Sequence, residues 1–135
     1  CGLQGANSTE FDPETPHPVI DILLEQKSVV NKGGTMRLGA YPAVLKQGSV
    51  VHSLYQSLDV SERHRHRYEV NSQYHQALTE KGMAFSGISR DGRLVEFIEL
   101  PSLKYFVGTQ AHPELKSRME VPAPLFYGFI KACMS

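Results

Sequence analysis

The chain has 135 residues, 41% apolar and 21% charged, enough for a single domain with a buried core. Lysine plus arginine and aspartate plus glutamate each number 14, so no net field draws the chain to nucleic acid or to an anionic membrane. No apolar run reaches the length of a membrane span or matches a signal peptide. Cys1 and Cys133 lie at opposite ends, which offers neither metal-ligand spacing nor a disulfide framework, and the cytoplasm is the expected compartment.

Residues 1–18 read as irregular, punctuated by Asn7-Ser8-Thr9 and by Pro13, Pro16 and Pro18. Val19–Leu24 is apolar enough for a short strand. Gly33-Gly34 marks a turn into two further short strands, Thr35–Leu38 and, beyond Pro42, Ala43–Lys46. Val50, Val51, Leu54, Tyr55 and Leu58 recur at helical spacing, predicting a helix over Val50–Leu58. Arg63–Val70 alternates as a strand does. Ser72–Lys81 reads as a helix with Ser72 as N-cap and Gly82 as its stop. Phe85–Ile88, Leu94–Leu100 and Tyr105–Val107 follow as strands, the first two joined by an Asp91-Gly92 hairpin turn. A helix over Leu125–Met134 closes the chain. The pattern is a mixed α/β domain rich in antiparallel pairing.

The segment Thr109-Gln110-Ala111-His112-Pro113-Glu114 carries the clearest chemistry. A carboxylate two residues from an imidazole can hold it in one tautomer and stabilise its protonated form, so the ring can shuttle a proton for a nucleophile. Pro113 keeps His112 extended, which favours presentation at a strand end. Against this stands the ordinary structural histidine in a His-Pro turn. Arg63-His64-Arg65-His66-Arg67-Tyr68-Glu69-Val70-Asn71 is open to four readings. It could be a solvated basic edge strand, a phosphate or nucleic-acid patch, a His64/His66 metal site without an obvious third ligand, or a strand whose arginine clamps a substrate carboxylate. On a regular strand the three arginines share one face, with both histidines and Tyr68 on the other. The Gly33–Gly39 stretch lacks the lysine-serine pair of a phosphate loop and reads as a turn. Cys1 could serve as an N-terminal nucleophile with its own amine as base.

Five stretches together resemble the class I glutamine amidotransferase domain of the CTP synthase family. They are Ala6-Asn-Ser-Thr-Glu-Phe11, His17-Pro-Val-Ile-Asp21, Gly33-Gly-Thr-Met-Arg-Leu-Gly39, Glu62–Asn71, and Gly108–Arg118, with Pro124-Leu-Phe126 also in place. The His-Pro-Glu element is shared by class I amidotransferases; the Arg63–Asn71 run is far more particular to this family. The resemblance implies an α/β flavodoxin-like fold with its N-terminal portion missing, residues 1–135 forming one partial domain. It implies hydrolysis of L-glutamine through a cysteine thioester, the ammonia passing to a synthetase domain that aminates UTP to CTP with ATP and Mg²⁺. By the same resemblance His112 is the general base and acid, and Glu114 its orienting partner. Glu10 binds the α-ammonium of glutamine and Arg67 its α-carboxylate, with Arg65 and Tyr68 as neighbours. No metal and no cofactor is expected on these residues. The expected partners are L-glutamine, the missing part of the amidotransferase domain and the synthetase domain, in a homo-oligomeric parent. The family's nucleophile sits in a Gly-x-Cys-Leu-Gly-x-Gln elbow that does not occur here, and Cys1 does not match it. The chain alone is therefore expected to be inactive. The alternative is a degenerate module that binds glutamine or a partner without catalysis.

Overall fold

The computed structural model describes residues 1–23 and 36–134; the expected Gly33-Gly34 turn lies outside them. Among the described residues two sheets share the fold. A small sheet has the order β1-β2-β5, with β1 (Ala6–Ser8) parallel to β2 (His17–Ile22) and β2 antiparallel to β5 (Tyr68–Val70). A larger antiparallel sheet has the order β4-β3-β6-β7-β8, from β3 (Arg37–Leu45), β4 (Asp59–His66), β6 (Ala84–Ile88), β7 (Val95–Glu99) and β8 (Val107–Thr109). The α-helices among the described residues are α1 (Val50–Tyr55), α2 (His75–Glu80) and α3 (Pro124–Met134). The mixed α/β reading and its antiparallel bias hold, as do the Asp91-Gly92 hairpin joining β6 to β7 and the closing helix.

Several boundaries differ from the sequence reading, each for a local reason. The lead-in is not wholly irregular, because Ala6–Ser8 pairs with β2. The two short strands expected around Pro42 are one strand. Here β3 pairs with β4 from Arg37 to Val44 but meets β6 only at Val44 and Leu45, so an edge is free at Pro42 for a residue that lacks an N–H. Helix α1 stops at Tyr55 because Gln56 turns left-handed at φ 54°, its N–H donating to the His52 carbonyl. Asn71, not Ser72, caps the next helical segment: its side chain accepts from Gln73 N at 3.1 Å, and the first turn, Ser72–Tyr74, is 3₁₀. The strand expected at Tyr105–Val107 begins at Val107, because the preceding residues form a turn closed by Leu100 N to the Phe106 carbonyl at 3.3 Å.

The core gathers where the large sheet meets α1 and α3: Ala43, Leu45, Val51, Phe97 and Leu125, with Leu54, Tyr55, Val60 and Val107 packed on it. Helix α1 is capped twice at its start. The Ser49 side chain accepts from His52 N at 3.0 Å, and the buried Glu99 carboxylate of β7 accepts from Val50 N at 3.1 Å and Val51 N at 2.8 Å. The opposite face of α3, with Tyr127, Phe129, Ile130 and Met134, is exposed.

Gly87 on β6 is packed so closely that a Cβ there would lie 2.5 Å from Phe97 Cδ2 and 2.9 Å from Leu45 Cδ2. Gly87→Ala is expected to lower unfolding stability by about 1–3 kcal/mol in a urea titration. Met119→Ala, at a side chain that is 95% exposed, should stay within about 0.5 kcal/mol of the parent.

Candidate active site

The large sheet ends at Thr109, and the chain passes directly into the His-Pro-Glu turn. His112 is extended at φ −112°, and Pro113 opens a 3₁₀ turn over Pro113–Leu115 in which its ring is buried. That turn is docked on the edge strand β4. His112 N donates to the Arg63 carbonyl at 2.8 Å, Lys116 Nζ donates to the Ser61 carbonyl at 2.6 Å, and Lys116 pairs with buried Glu62 at 3.6 Å. The backbone of the turn is thus fixed while its side chains remain accessible. His112 Nδ1 and Glu114 Oε1 lie 2.7 Å apart. With the carboxylate accepting, Nδ1 carries the proton and Nε2 is left as the basic nitrogen. The bond to His112, with a further backbone hydrogen bond, holds Glu114 below the usual carboxylate range, so it is ionised at neutral pH.

A second group of expected residues converges across the two sheets. The strand foreseen over Arg63–Val70 is broken: β4 ends at His66, β5 begins at Tyr68, and Arg67 is the residue at which the chain leaves one sheet for the other. The arginines therefore do not form one face. Arg63 and Arg65 project into solvent from the edge strand, whereas Arg67 is half-buried. Arg67, Tyr68 and Arg65 line a cleft of about 420 Å³ together with Glu10, which comes from the turn after β1, and Gln110. Glu10 and Arg67 thus offer one acid and one guanidinium to the same space. His112 and Glu114 are not among the residues of that wall; Gln110, two residues ahead of His112, belongs to it.

Beneath the cleft lies a buried charged cluster that the sequence reading did not anticipate. The Arg37 guanidinium reaches Glu96 at 2.7 and 3.2 Å and Glu69 at 3.2 Å, with both carboxylates 2% exposed or less. His66 Nε2 meets Glu69 Oε1 at 2.9 Å, and Gln110 Nε2 donates to Glu69 Oε2 at 3.1 Å. Arg37 also stacks on the Tyr41 ring, 4.6 Å from its centroid. His64, opposite in direction to the exposed arginines, is 3% exposed and lies 3.8 Å from Glu96. Among the described residues no group of three or more His, Cys, Asp or Glu is placed to hold a metal ion. Both cysteines are exposed; Cys1 Sγ contacts the Ala77 carbonyl of α2 at 3.6 Å, and Cys133 lies near the end of α3.

Burial, then the neighbouring Arg37 charge, lowers the His64 pKa to about 4 from its ordinary 6.5. The unfolded chain then takes up this proton first as pH falls. The His64 contribution to stability is full above pH 6.5 and is lost on the way down to about pH 4. The loss should amount to about 3 kcal/mol, measurable as unfolding free energy against pH. His64→Gln should flatten the upper half of that slope, above the carboxylate range.

A family described as Glutamine amidotransferase class-I matches residues 5–132. The chain is 63% identical over 132 residues to CTP synthase of Methanococcus maripaludis, covering 98% of this chain and 25% of the relative. It is 58% identical over 134 residues to CTP synthase of Methanocaldococcus jannaschii, covering 99% of this chain and 25% of the relative. Among solved structures it resembles the Trypanosoma brucei CTPS glutaminase domain with bound acivicin, with a TM-score of 0.88 and 38% identity over 97% of this chain and 51% of that one. The chain spans about a quarter of the length of the curated relatives it matches.

Proposed function

Because the chain belongs to the class I glutamine amidotransferase family and forms part of a CTP synthase glutaminase domain, we propose that it supplies the acid–base and substrate-gripping half of a glutamine-hydrolysing site. The observation that carries this reading is the 2.7 Å bond between His112 and Glu114 on a turn that follows directly from the cleft residue Gln110. Glu10 takes the α-ammonium of L-glutamine and Arg67 its α-carboxylate, a single acid for a point charge and a planar fork for two oxygens. Glu114 keeps the proton on His112 Nδ1, and Nε2 accepts the thiol proton of a cysteine. The thiolate adds to the side-chain carboxamide carbon, the C–N bond breaks, and the imidazolium returns its proton to the leaving ammonia. Water then attacks the thioester, with His112 taking its proton and passing it back to sulfur.

Neither cysteine of this chain serves as that nucleophile. The Gly-x-Cys-Leu-Gly-x-Gln elbow that carries the family's nucleophile does not occur in this chain, and neither Cys1 nor Cys133 matches it. The thiol therefore belongs to another segment of the working enzyme, and this chain alone binds glutamine without turning it over. In the whole protein the ammonia is used by a cytoplasmic, homo-oligomeric synthetase that converts UTP to CTP with ATP and Mg²⁺.

Two measurements test the reading. The isolated chain should release no ammonia from L-glutamine above the buffer rate, and turnover abolished by His112→Ala would overturn the proposed inactivity. Joined to the rest of a relative's amidotransferase domain, the chain should become active. In that form His112→Ala should lower kcat by at least ~100-fold, and Arg67→Lys should raise KM roughly tenfold with a smaller change in kcat. Unchanged kinetics in both variants would remove His112 and Arg67 from the site.

A further inference from the structure

We propose that Gln110 is a positioning residue, a strut that fixes the substrate-gripping side of the cleft relative to the acid–base turn. The proposal rests on the roles assigned to Arg67 and His112 above. The two groups stand on different sheets. Arg67 is the unpaired residue between β4 and β5, and its orientation depends on how β5 is held; His112 follows β8 at the far edge of the large sheet's order. Gln110 touches both. Its Nε2 donates to the Tyr68 carbonyl at 3.3 Å, one residue from Arg67, and to Glu69 Oε2 at 3.1 Å. Both partners are acceptors, so the amide orientation is fixed and both N–H hydrogens are used.

The anchor at each end is rigid. Glu69 is 2% exposed, and its other oxygen is held by Arg37 at 3.2 Å and His66 at 2.9 Å, so it cannot follow a displaced partner. On the other side Gln110 N donates to the Glu96 carbonyl at 3.1 Å and Thr109 Oγ1 to the same carbonyl at 3.0 Å. Two residues on, His112 N is tied to Arg63 at 2.8 Å. A carboxamide of fixed length therefore sets the spacing between guanidinium and imidazole. A rate that depends on near-attack geometry is sensitive to shifts of about 1 Å in such spacing.

The experiment uses the joined, active glutaminase described above. Gln110→Met keeps the volume and removes both donors; kcat/KM for L-glutamine is expected to fall about 10–100-fold, divided between a higher KM and a lower kcat. Gln110→Glu sets two carboxylates together and should lose at least as much. Gln110→Asn keeps the carboxamide one methylene shorter and leaves the charges of the Arg37 cluster in place; its kcat/KM should fall by a similar factor. Unfolding midpoints are recorded for every variant. Kinetics of Gln110→Met within twofold of the parent would overturn the strut, as would kinetics of Gln110→Asn within twofold of the parent. If Gln110→Met fails to fold, Gln110→Asn decides. Retained turnover in His112→Ala would instead overturn the functional reading itself, which separates the two failures.

Discussion

The His66 and Gln110 side of the cleft rests on a cluster built around one buried cation. Arg37 sits between two carboxylates that have almost no contact with solvent, Glu69 on β5 and Glu96 on β7. Three charges in a region of low dielectric are costly to bury, and they persist only because each is paired and hydrogen-bonded. The cluster spans both sheets: Arg37 and Glu96 belong to the large one and Glu69 to the small one. Losing one member would strand the charges of the others, so the relative placement of the sheets is fixed by electrostatic necessity as well as by packing. Glu69 shares its Arg37-bound Oε1 with His66 and gives Oε2 to Gln110, while the Glu96 backbone carbonyl accepts from Thr109 Oγ1.

The site grows out of that platform at two irregularities. At Arg67 the chain crosses between sheets, and a residue freed from strand pairing can aim its long side chain into the cleft. After Thr109 the last strand stops, and Pro113 directs the backbone into a 3₁₀ turn that places His112 and Glu114 side by side. Both irregularities are braced against the edge strand or the buried cluster. The 2.7 Å pair of His112 and Glu114 is thereby presented from backbone that is hydrogen-bonded to its neighbours.

What could be read in the sequence follows from how local each feature is. The His112–Glu114 pair is two residues apart and was legible from spacing alone. Glu10 and Arg67, 57 residues apart in sequence, carry no local sign that they meet, and only the family resemblance pointed to both. Arg37, Glu69 and Glu96 were missed because their contacts span 32 and 59 residues and because charged residues are ordinarily expected outside. The alternation of Arg63–Val70 suggested one strand, since periodicity reports which face is buried but not where a chain changes sheets. Inward His64 and His66 and outward Arg63 and Arg65 do keep that alternation as far as the break. Pro42 argued for two strands where there is one, because whether a strand has partners on both sides at a given residue cannot be seen in its own sequence.

The carboxylate that caps α1 has a consequence for how the chain is made. Helix α1 has only six residues, too few to persist on its own in water, and Val50 receives its carboxylate cap from Glu99, 49 positions later. At a synthesis rate of about 5–20 residues per second the ribosome delivers that glutamate roughly 2–10 s after the helix has been polymerised. During that interval Val51, which ends with no solvent exposure at all, has no core to enter. This helix is therefore secured late, and the nascent chain must carry an apolar, unformed turn until the hairpin of β6 and β7 arrives to close over it.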